Sequence, residues 1–175
     1  SRLAKEKRID IALLSLKRVL KTNPETGLTI IGSGPERDDL LKKVNDFGLS
    51  QNVFFLDWQN NLIPHYKSAD IFLLTSEYEG YSIALIEAGA AGCPIVTTKV
   101  GVAKTDLFKD GVNSFVCPVG DVDCLSNRII ELISNPKKRE SFKTNMRDSI
   151  KSIAISKEQY TANYIGLLEK LIKNV

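Results

Sequence analysis

Histidine, tryptophan, methionine and cysteine are scarce in this sequence: its 175 residues include one His, one Trp, one Met and three Cys. A zinc site needs about four closely spaced Cys, His or carboxylate ligands, and His65 stands alone. A Ser-His-Asp triad would have to use that same histidine, and no nucleophile-elbow motif is present. The sequence therefore predicts neither a metal centre nor a hydrolase triad.

The cysteines are also too few for a fold that is held together by several disulfides. Cys93, Cys117 and Cys124 are odd in number, and no two of them form a C-x-x-C pair. This usage predicts that no disulfide framework forms, and it favours a reducing, cytoplasmic compartment.

Long apolar runs and a strong net charge are absent as well. No run approaches the ~20 apolar residues that span a bilayer. The 24 Lys and Arg against 21 Asp and Glu leave a net charge of +3, which is too small to indicate nucleic acid as a partner. With 43% hydrophobic residues the chain is not intrinsically disordered, and its length suits one domain.

Short apolar runs alternate with helical patterns along the first two thirds of the chain. The runs predicted as strands are Leu28–Ile31, Val53–Leu56, Ile71–Leu74, Ile95–Thr98 and Ser114–Cys117. Such continuous runs are typical of strands buried on both faces of a parallel sheet. With helices between them, they predict an α/β fold of the Rossmann-like type, a doubly wound parallel sheet with helices on both faces.

The last third of the sequence is helical throughout. Helices are predicted from Asp121, from Pro136 and from Ser156, the last with Tyr160, Tyr164 and Leu168 on one face. We expect a single domain over residues 1–175, with a core at 1–155 and a terminal helix at 156–175. The first helix is expected at about Glu6 with no strand before it, so we expect the sequence to be a piece of a longer protein.

The segment from Ser76 to Ala88 combines a strand end, a glycine, two glutamates and a helix start. Ligands of open α/β sheets bind outside the carboxyl ends of the strands, and free amides at a helix start favour phosphate. Gly80 would let the backbone approach such a ligand. Glu87, in an apolar stretch, is expected either to be paired or to accept hydrogen bonds from ligand hydroxyls. A surface Glu79 and an ion-paired Glu87 remain the alternative.

Six short motifs follow one another in an order that identifies a family. They are Arg2-Leu3 with Lys7, Ile30-Ile31-Gly32-Ser33-Gly34-Pro35, Asn52-Val53-Phe54-Phe55-Leu56, Ala69-Asp70-Ile71-Phe72-Leu73-Leu74-Thr75-Ser76, Glu79-Gly80-Tyr81-Ser82 with Glu87-Ala88, and Gly92-Cys93-Pro94-Ile95-Val96 with Asp110-Gly111-Val112-Asn113. Over nearly the whole chain they resemble the carboxyl-terminal, nucleotide-binding domain of the group 1, or family 4, retaining glycosyltransferases of GT-B fold.

The resemblance implies a role for each matching residue. Arg2 and Lys7 would hold the donor diphosphate, and Glu79 would contact the donor sugar. Glu87 would bind the ribose hydroxyls, and residues near Leu56 and Asp57 would border the base. The backbone amides offered to phosphate would be those of Gly80, Tyr81, Ser82 and Ile83.

The resemblance also implies a reaction and its partners. A sugar would pass, with retention, from a nucleotide-sugar, expected to be a UDP-sugar, to a carbohydrate or lipid-linked acceptor held by an amino-terminal domain. No metal cofactor and no nucleic acid would take part, and polysaccharide, lipopolysaccharide or capsule synthesis would be the setting. The full-length protein would be cytoplasmic, with peripheral association at the inner membrane face, and this domain alone would be inactive.

Several positions depart from the family pattern. Arg8, Asp57, Ser82, Val102 and Ser114 each stand where the family has glycine. The glutamate expected after the fourth strand is matched at best by Asp106, one position out of step. These departures leave the nucleotide site in place and bear on sugar recognition.

Other motifs and other classes of protein were weighed. The third glycine of a dinucleotide site is missing from Gly32-Ser33-Gly34. We interpret Asp121-Val122-Asp123 as a helix cap rather than a metal motif. His65 is expected to be a surface or packing residue. The alternatives are a nucleotide-sugar 2-epimerase of GT-B fold and a non-catalytic nucleotide-sugar binding module. A receiver-like signalling domain is disfavoured, because no acidic cluster ends its first strand.

Overall fold

The computed structural model describes residues 1–173, and five strands and seven α-helices lie within them. The strands are β1 (Leu28–Ile31), β2 (Val53–Leu56), β3 (Phe72–Leu74), β4 (Ile95–Thr98) and β5 (Phe115–Cys117). The helices are α1 (Ile9–Val19), α2 (Arg37–Asp46), α3 (Ile63–Ser68), α4 (Ile83–Ala91), α5 (Val122–Ser134), α6 (Pro136–Ile153) and α7 (Lys157–Lys173). Short 3-10 turns at Lys5–Lys7 and Gly101–Lys104 complete the described elements.

All of the strand pairing in the described residues is parallel, as the sequence predicts. β1 pairs with β2, with Leu28 opposite Val53. β4 lies between β3 and β5, with Val96 opposite Leu73 on one side and Phe115 on the other. Helix α1 packs against α2 and α5, and α4 packs against α3 and α6. The α/β fold with helices on both faces is therefore confirmed.

Within the described residues, the parallel strands are divided between two sheets. They form a two-stranded sheet, β1-β2, and a three-stranded sheet, β3-β4-β5. Only β4 is buried along its whole length, whereas Thr29 and Phe54 of the smaller sheet are exposed. The reason is that the facing edges of β1 and β3 do not pair with each other, so each sheet keeps an open side.

A cleft of about 1110 Å³ separates the two sheets. β1 and β3 form its side walls, and the apolar side chains of α1, among them Ile9, Leu16 and Val19, form its floor together with Ile129 of α5. At the carboxyl ends of the strands the cleft opens beside Lys7, Glu79 and Glu87. The same opening therefore holds the residues that the sequence singles out.

Residues 1–8 cross this opening from one sheet to the other. On the β1 side, the Ser1 amino group donates to the Ile31 carbonyl at 2.8 Å, and the Leu3 amide donates to Ser33 at 2.8 Å. A Cβ on Gly32 would lie 1.8 Å from the Ser1 carbonyl oxygen, so glycine is required there by close backbone approach. On the β3 side, the Glu77 amide donates to the Glu6 carbonyl at 2.9 Å.

One pair of cysteines contradicts the sequence prediction. Cys117 and Cys124 form a disulfide, with their Cα atoms 5.8 Å apart, whereas Cys93 is free and buried. Cys117 ends β5 and Cys124 lies in the first turn of α5, so the turn at Pro118 and Gly120 folds the two together. Counting cysteines could not detect this pairing, because it depends on that turn. The cysteine argument for a reducing compartment is removed with it.

The last helix, α7, lies on the surface. Its apolar side chains Tyr160, Tyr164, Leu167, Leu168 and Leu171 are all exposed. The expected amphipathic face is therefore present and is not covered by any other described residue. Among residues 1–173, no helix combines the length and apolarity that crossing a membrane requires.

Candidate functional site

The amino terminus of α4 has features that favour anion binding, and the buried Ser82 hydroxyl there has no hydrogen-bond partner among the described residues. Ser82 precedes the helix in a left-handed conformation, with φ 72°, and its Oγ is buried without a hydrogen-bond partner among the described residues. The amides of Ile83 and Ala84 precede the first helical hydrogen bonds, whereas the Leu85 amide donates to the Ser82 carbonyl at 3.1 Å. The helix dipole adds positive potential there. Gly80 and Tyr81 are exposed just before it.

Lys7 and Glu79 meet at this helix start although 72 positions separate them. The Lys7 Nζ donates to Glu79 Oε1 at 2.8 Å, and the Ser76 hydroxyl donates to the same oxygen at 2.7 Å. Both members of the ion pair are largely buried, with 22% and 12% of their side chains exposed. The cation and the carboxylate are therefore fixed at the mouth of the cleft, and Ser76 helps to orient the carboxylate.

Glu87 lies about one turn into α4 and is exposed at the cleft. Its Oε2 accepts a hydrogen bond at 3.1 Å from the hydroxyl of Tyr66, a buried residue of α3. Burial, together with the neighbouring Glu87 carboxylate, raises the pKa of Tyr66, so this phenol remains a donor at neutral pH. Glu87 is thus both paired and open to solvent, and its Oε1 has no partner within residues 1–173.

Arg2 is not brought to the α4 start. Its guanidinium is exposed and pairs with Glu6 Oε1 at 3.0 Å, one turn further along the same segment. A backbone hydrogen bond to the Glu6 carboxylate, followed by the contact with Arg2, holds the pKa of Glu6 below its ordinary value. Arg8 adopts a left-handed conformation, with φ 46°, and pairs with Asp10 and Glu77. The structure therefore places Lys7, rather than Arg2, at the candidate site.

Leu56 and Asp57 lie at the carboxyl end of β2, on the same edge of the molecule. Both are exposed, and Asp57 Oδ1 lies 3.4 Å from Nη1 of Arg37. The wall of the cleft itself is formed by the next two residues, Trp58 and Gln59. The Trp58 indole is exposed, and the sequence motifs did not point to it.

Several supporting residues were missed by reasoning from sequence alone. Gly101 adopts φ 49°, and a Cβ there would meet the Tyr81 carbonyl oxygen at 2.8 Å, so the turn after β4 presses directly on the loop before α4. The Val102 amide donates to that same carbonyl at 2.9 Å. The Thr98 hydroxyl donates to the Ser76 carbonyl at 2.6 Å. The run Ser76–Ser82 is therefore braced by the end of β4, which no local spacing could reveal.

The remaining motifs have structural roles. Asp121 caps α5 by accepting from the Cys124 amide at 2.8 Å, as predicted, and Asp123 pairs with Arg18. Within the described part of the chain, no three His, Cys, Asp or Glu side chains cluster as metal ligands. His65 lies on α3 and is partly buried. Gly32 and Gly34 accommodate the backbone of Ser1 and Leu3 rather than a dinucleotide.

The chemistry available at the mouth of the cleft is recognition of a polyanion with hydroxyl groups. A lysine ammonium and free helix amides can neutralise and orient phosphate. Two carboxylates, Glu79 and Glu87, sit on either side of that position and can accept hydrogen bonds from hydroxyl groups.

Comparison with known proteins gives a consistent family relationship. The family model described as "Glycosyl transferases group 1" matches residues 1–149. The poly(glycerol-phosphate) alpha-glucosyltransferase of Bacillus subtilis is 28% identical over 173 residues, which are 99% of this chain and 25% of that protein. An N-acetyl-alpha-D-glucosaminyl L-malate synthase of Bacillus anthracis is 27% identical over 150 residues, 86% of this chain and 39% of that protein.

Solved structures agree. The carboxyl-terminal domain of a group 1 glycosyl transferase, LpcC, from Francisella tularensis has a TM-score of 0.78 at 26% identity, covering 87% of this chain and 82% of that one. Anabaena HepE in complex with UDP has a TM-score of 0.80 at 25% identity, covering 87% of this chain and 42% of that one. The chain thus spans between a quarter and about two fifths of the curated relatives named above, and most of the isolated carboxyl-terminal domain.

Proposed function

Because the chain belongs to the group 1 glycosyl transferases, we propose that it is the donor-binding half of a glycosyltransferase that uses a nucleotide-sugar. The observation that carries this proposal is the convergence of Lys7, Glu79 and the amino terminus of α4 at one end of the cleft. These groups come from distant parts of the chain and supply the charges that a sugar diphosphate needs. A UDP-sugar is the proposed donor, supported by the UDP bound in the structure of HepE.

Lys7 and the α4 amides are proposed to bind the diphosphate. The Lys7 ammonium lies beside Glu79 at 2.8 Å, so the protein holds it in place before any ligand arrives. As the bond between sugar and diphosphate breaks, negative charge grows on the leaving phosphate, and preorganised donors stabilise it. Arg2 would reach the diphosphate only by leaving Glu6, so we assign it an accessory role.

The two glutamates are proposed to accept hydrogen bonds from the hydroxyl groups of the donor. Glu87 would accept from the ribose through its free Oε1, while Tyr66 holds Oε2. Glu79 would face the sugar, oriented by Ser76 and Lys7. Leu56 and Asp57 would border the base, and Trp58 provides an exposed aromatic face next to them.

Charge compensation by Lys7 and the helix amides supports a metal-independent mechanism. The aspartates that resemble a metal motif are engaged elsewhere, Asp121 as a cap and Asp123 with Arg18. The nucleotide should therefore bind in the presence of EDTA. Loss of binding on chelation, with recovery on adding Mn²⁺ or Mg²⁺, would overturn this part of the proposal.

The reaction itself needs a second domain. A cleft closed by two domains excludes water and positions the acceptor, and one domain offers half of it. We propose that an amino-terminal domain binds a carbohydrate or lipid-linked acceptor, and that α7, with its exposed apolar face, contacts that domain. It remains a prediction that the reaction retains the configuration at the anomeric carbon, with the leaving phosphate as the base. The cytoplasmic location and the association with the inner membrane face are also predictions.

Two other functions would use the same fold. A nucleotide-sugar 2-epimerase would be expected to need further acidic and histidine residues, and His65 lies on α3 with no charged partner in the described chain. A binding module without activity would not require a buried Lys7–Glu79 pair. Both alternatives predict nucleotide binding, so activity of a reconstituted two-domain protein separates them from the transferase.

Thermal-shift measurements with UDP-, GDP- and ADP-sugars test the binding proposal. A ligand that binds only the native state at 100 times its Kd adds about 2.7 kcal/mol to the free energy of unfolding. For a chain of this size that raises Tm by roughly 5–10 °C. A transfer assay of the 175-residue chain alone should give no product. A Tm that no nucleotide-sugar changes would contradict the binding proposal, and measurable transfer would contradict the need for a second domain.

A further inference from the structure

The chain that leaves β3 contacts two different segments at the mouth of the cleft. Its first three residues are Thr75, Ser76 and Glu77. The Ser76 hydroxyl donates to the Glu79 carboxylate at 2.7 Å. The Glu77 amide donates to the Glu6 carbonyl at 2.9 Å, and Thr75 bonds to the two residues that follow Glu6. The same short stretch therefore holds both segments that supply the Lys7–Glu79 ion pair.

The Thr75 hydroxyl is the contact closest to Lys7 in this arrangement. Thr75 is buried, with 5% of its surface exposed. Its Oγ1 lies 3.0 Å from the Lys7 carbonyl oxygen and 2.9 Å from the Arg8 carbonyl oxygen. A hydroxyl has a single proton to donate, so the two acceptors share it. The hydroxyl thus fixes two successive peptide groups, and with them the point from which the Lys7 side chain leaves the backbone.

Arg8 makes the turn that brings both carbonyls to this hydroxyl. Its φ and ψ are both 46°, a left-handed conformation that costs energy in any residue with a Cβ. Its guanidinium is held on two sides. Nε and Nη2 donate to the Asp10 carboxylate at 3.1 Å each, and Nη1 lies 3.4 Å from Glu77 Oε2. The backbone directly after Lys7 is therefore anchored to the end of β3 as well as to the start of α1.

The Lys7 side chain is fixed at both of its ends. A lysine side chain has many rotamers, and ordering it for a ligand costs conformational entropy. Here Thr75 holds the backbone, and Glu79 holds the ammonium at 2.8 Å. Ser76, the neighbour of Thr75, orients that carboxylate. The end of β3 therefore sets the position of the ammonium before an anion binds, and such preorganisation strengthens binding.

We propose that Thr75 is a positioning residue for the diphosphate. Its hydroxyl fixes the Lys7–Arg8 turn and so places the Lys7 ammonium beside the amino terminus of α4. Thr75 acts through Lys7 and not by its own contact with the ligand. This inference rests on the proposed function, since it takes the diphosphate as the ligand of Lys7. The placement of Lys7 by Thr75 is a property of the chain without ligand and is measured separately.

Variants of Thr75 test the role of the hydroxyl. Thr75→Val removes it at nearly constant size, and UDP affinity, measured by isothermal titration calorimetry, should fall about fivefold. Thr75→Ser keeps the hydroxyl and should bind UDP like wild type. Ser15→Ala is the matched control, because Ser15 is also buried and its hydroxyl donates to the Ile11 carbonyl at 2.8 Å. This control should leave UDP affinity unchanged. Thr75→Ala gives the same comparison should Thr75→Val fail to fold.

Combination with Lys7→Met shows whether Thr75 acts through Lys7. In that background Thr75→Val should weaken UDP binding by less than about twofold, because no ammonium is left to place. A further loss of about fivefold would overturn the proposal, since a structural effect of Thr75 would act in both backgrounds alike. Unchanged UDP affinity in Thr75→Val alone would also overturn it, as would an equal loss in Thr75→Ser.

The side-chain ¹⁵N resonance of Lys7 separates this inference from the proposed function. In the ligand-free chain it should differ from that of the exposed Lys5, because the Lys7 ammonium is bonded to Glu79. Thr75→Val should move the resonance toward the Lys5 value, and Thr75→Ser should leave it in place. Absence of UDP binding to wild type would contradict the proposed function. A Lys7 resonance that Thr75→Val does not move, in a chain that binds UDP, would overturn the positioning role alone.

Discussion

The ammonium of Lys7 lies 2.8 Å from the carboxylate of Glu79, and both are held at the mouth of the cleft beside the first turn of α4. The pair joins the segment that bridges the two sheets to the loop that follows β3. It therefore serves both the local fold and the proposed diphosphate site. The predictions below separate these two contributions.

Replacing Lys7 with Met keeps the length of the side chain and removes its charge. Leaving the Glu79 carboxylate without its cation should lower the free energy of unfolding by about 1–3 kcal/mol. UDP affinity should fall roughly tenfold or more, since a charged hydrogen bond is lost. Lys5→Met, at an exposed position of the same turn, is the matched control and should leave both quantities unchanged. Equal UDP affinity in the two variants would remove Lys7 from the site.

Replacing Glu87 with Gln turns a carboxylate that accepts at both oxygens into an amide. If Glu87 binds the ribose hydroxyls, UDP affinity should fall by about 1.5–3 kcal/mol, which isothermal titration calorimetry measures. Tm without ligand should hardly change, because Glu87 is exposed. A variant that unfolds readily yet binds UDP normally would show that Glu87 has a structural role only.

Ser82→Gly should stabilise the protein. A non-glycine residue at φ 72° costs about 1–2 kcal/mol, which glycine relieves. The change also removes a buried hydroxyl without a partner. Ser82→Ala, which removes the hydroxyl but keeps the strain, should gain less. UDP binding should survive in Ser82→Gly because the backbone amide remains; a lower Tm than that of wild type would contradict this account.

The buried phenol of Tyr66 makes stability depend on pH in the alkaline range. Burial and Glu87 raise the pKa of Tyr66 in the folded state above its ordinary value of 10.0. The folded state therefore holds its proton more tightly, so the contribution is present below pH 10 and is lost as pH rises further.

Urea unfolding between pH 9 and 11 measures this effect. The free energy of unfolding of wild type should fall more steeply with pH above 10 than that of Tyr66→Phe. Burial also raises the pKa of Cys93, to about 12, so the comparison is best made in a Cys93→Ala background. Parallel curves for the two proteins would show that Tyr66 ionises normally.

Local sequence patterns predicted the elements well, because β-branched apolar runs and capping residues act over a few positions. β1, β2 and β4 have the predicted bounds, and Asp121 caps α5 as expected. The two positions with positive φ outside glycine, within the described residues, are Arg8 and Ser82. Both are positions where the family resemblance expects glycine, the residue that adopts positive φ without a steric cost.

What the sequence could not predict depends on contacts between distant segments. The hydrogen bond from Tyr66 to Glu87 joins α3 to α4 and follows from the packing of these two helices, which hydrophobic periodicity does not indicate. The separation into two sheets was missed because strand patterns do not say which strands are neighbours. The Cys117–Cys124 disulfide was missed because it depends on the turn between β5 and α5, which brings the two cysteines together.

The central claim is that this domain binds the diphosphate of a nucleoside diphosphate at the amino terminus of α4. A titration of the ¹⁵N-labelled chain with UDP in the presence of EDTA tests it most directly, by following the amide resonances. The account predicts that the amides of Gly80, Ile83 and Glu87 shift progressively and saturate, and that Lys7→Met weakens the titration. Unchanged resonances at these three positions, or shifts confined to α6 and α7, would contradict it.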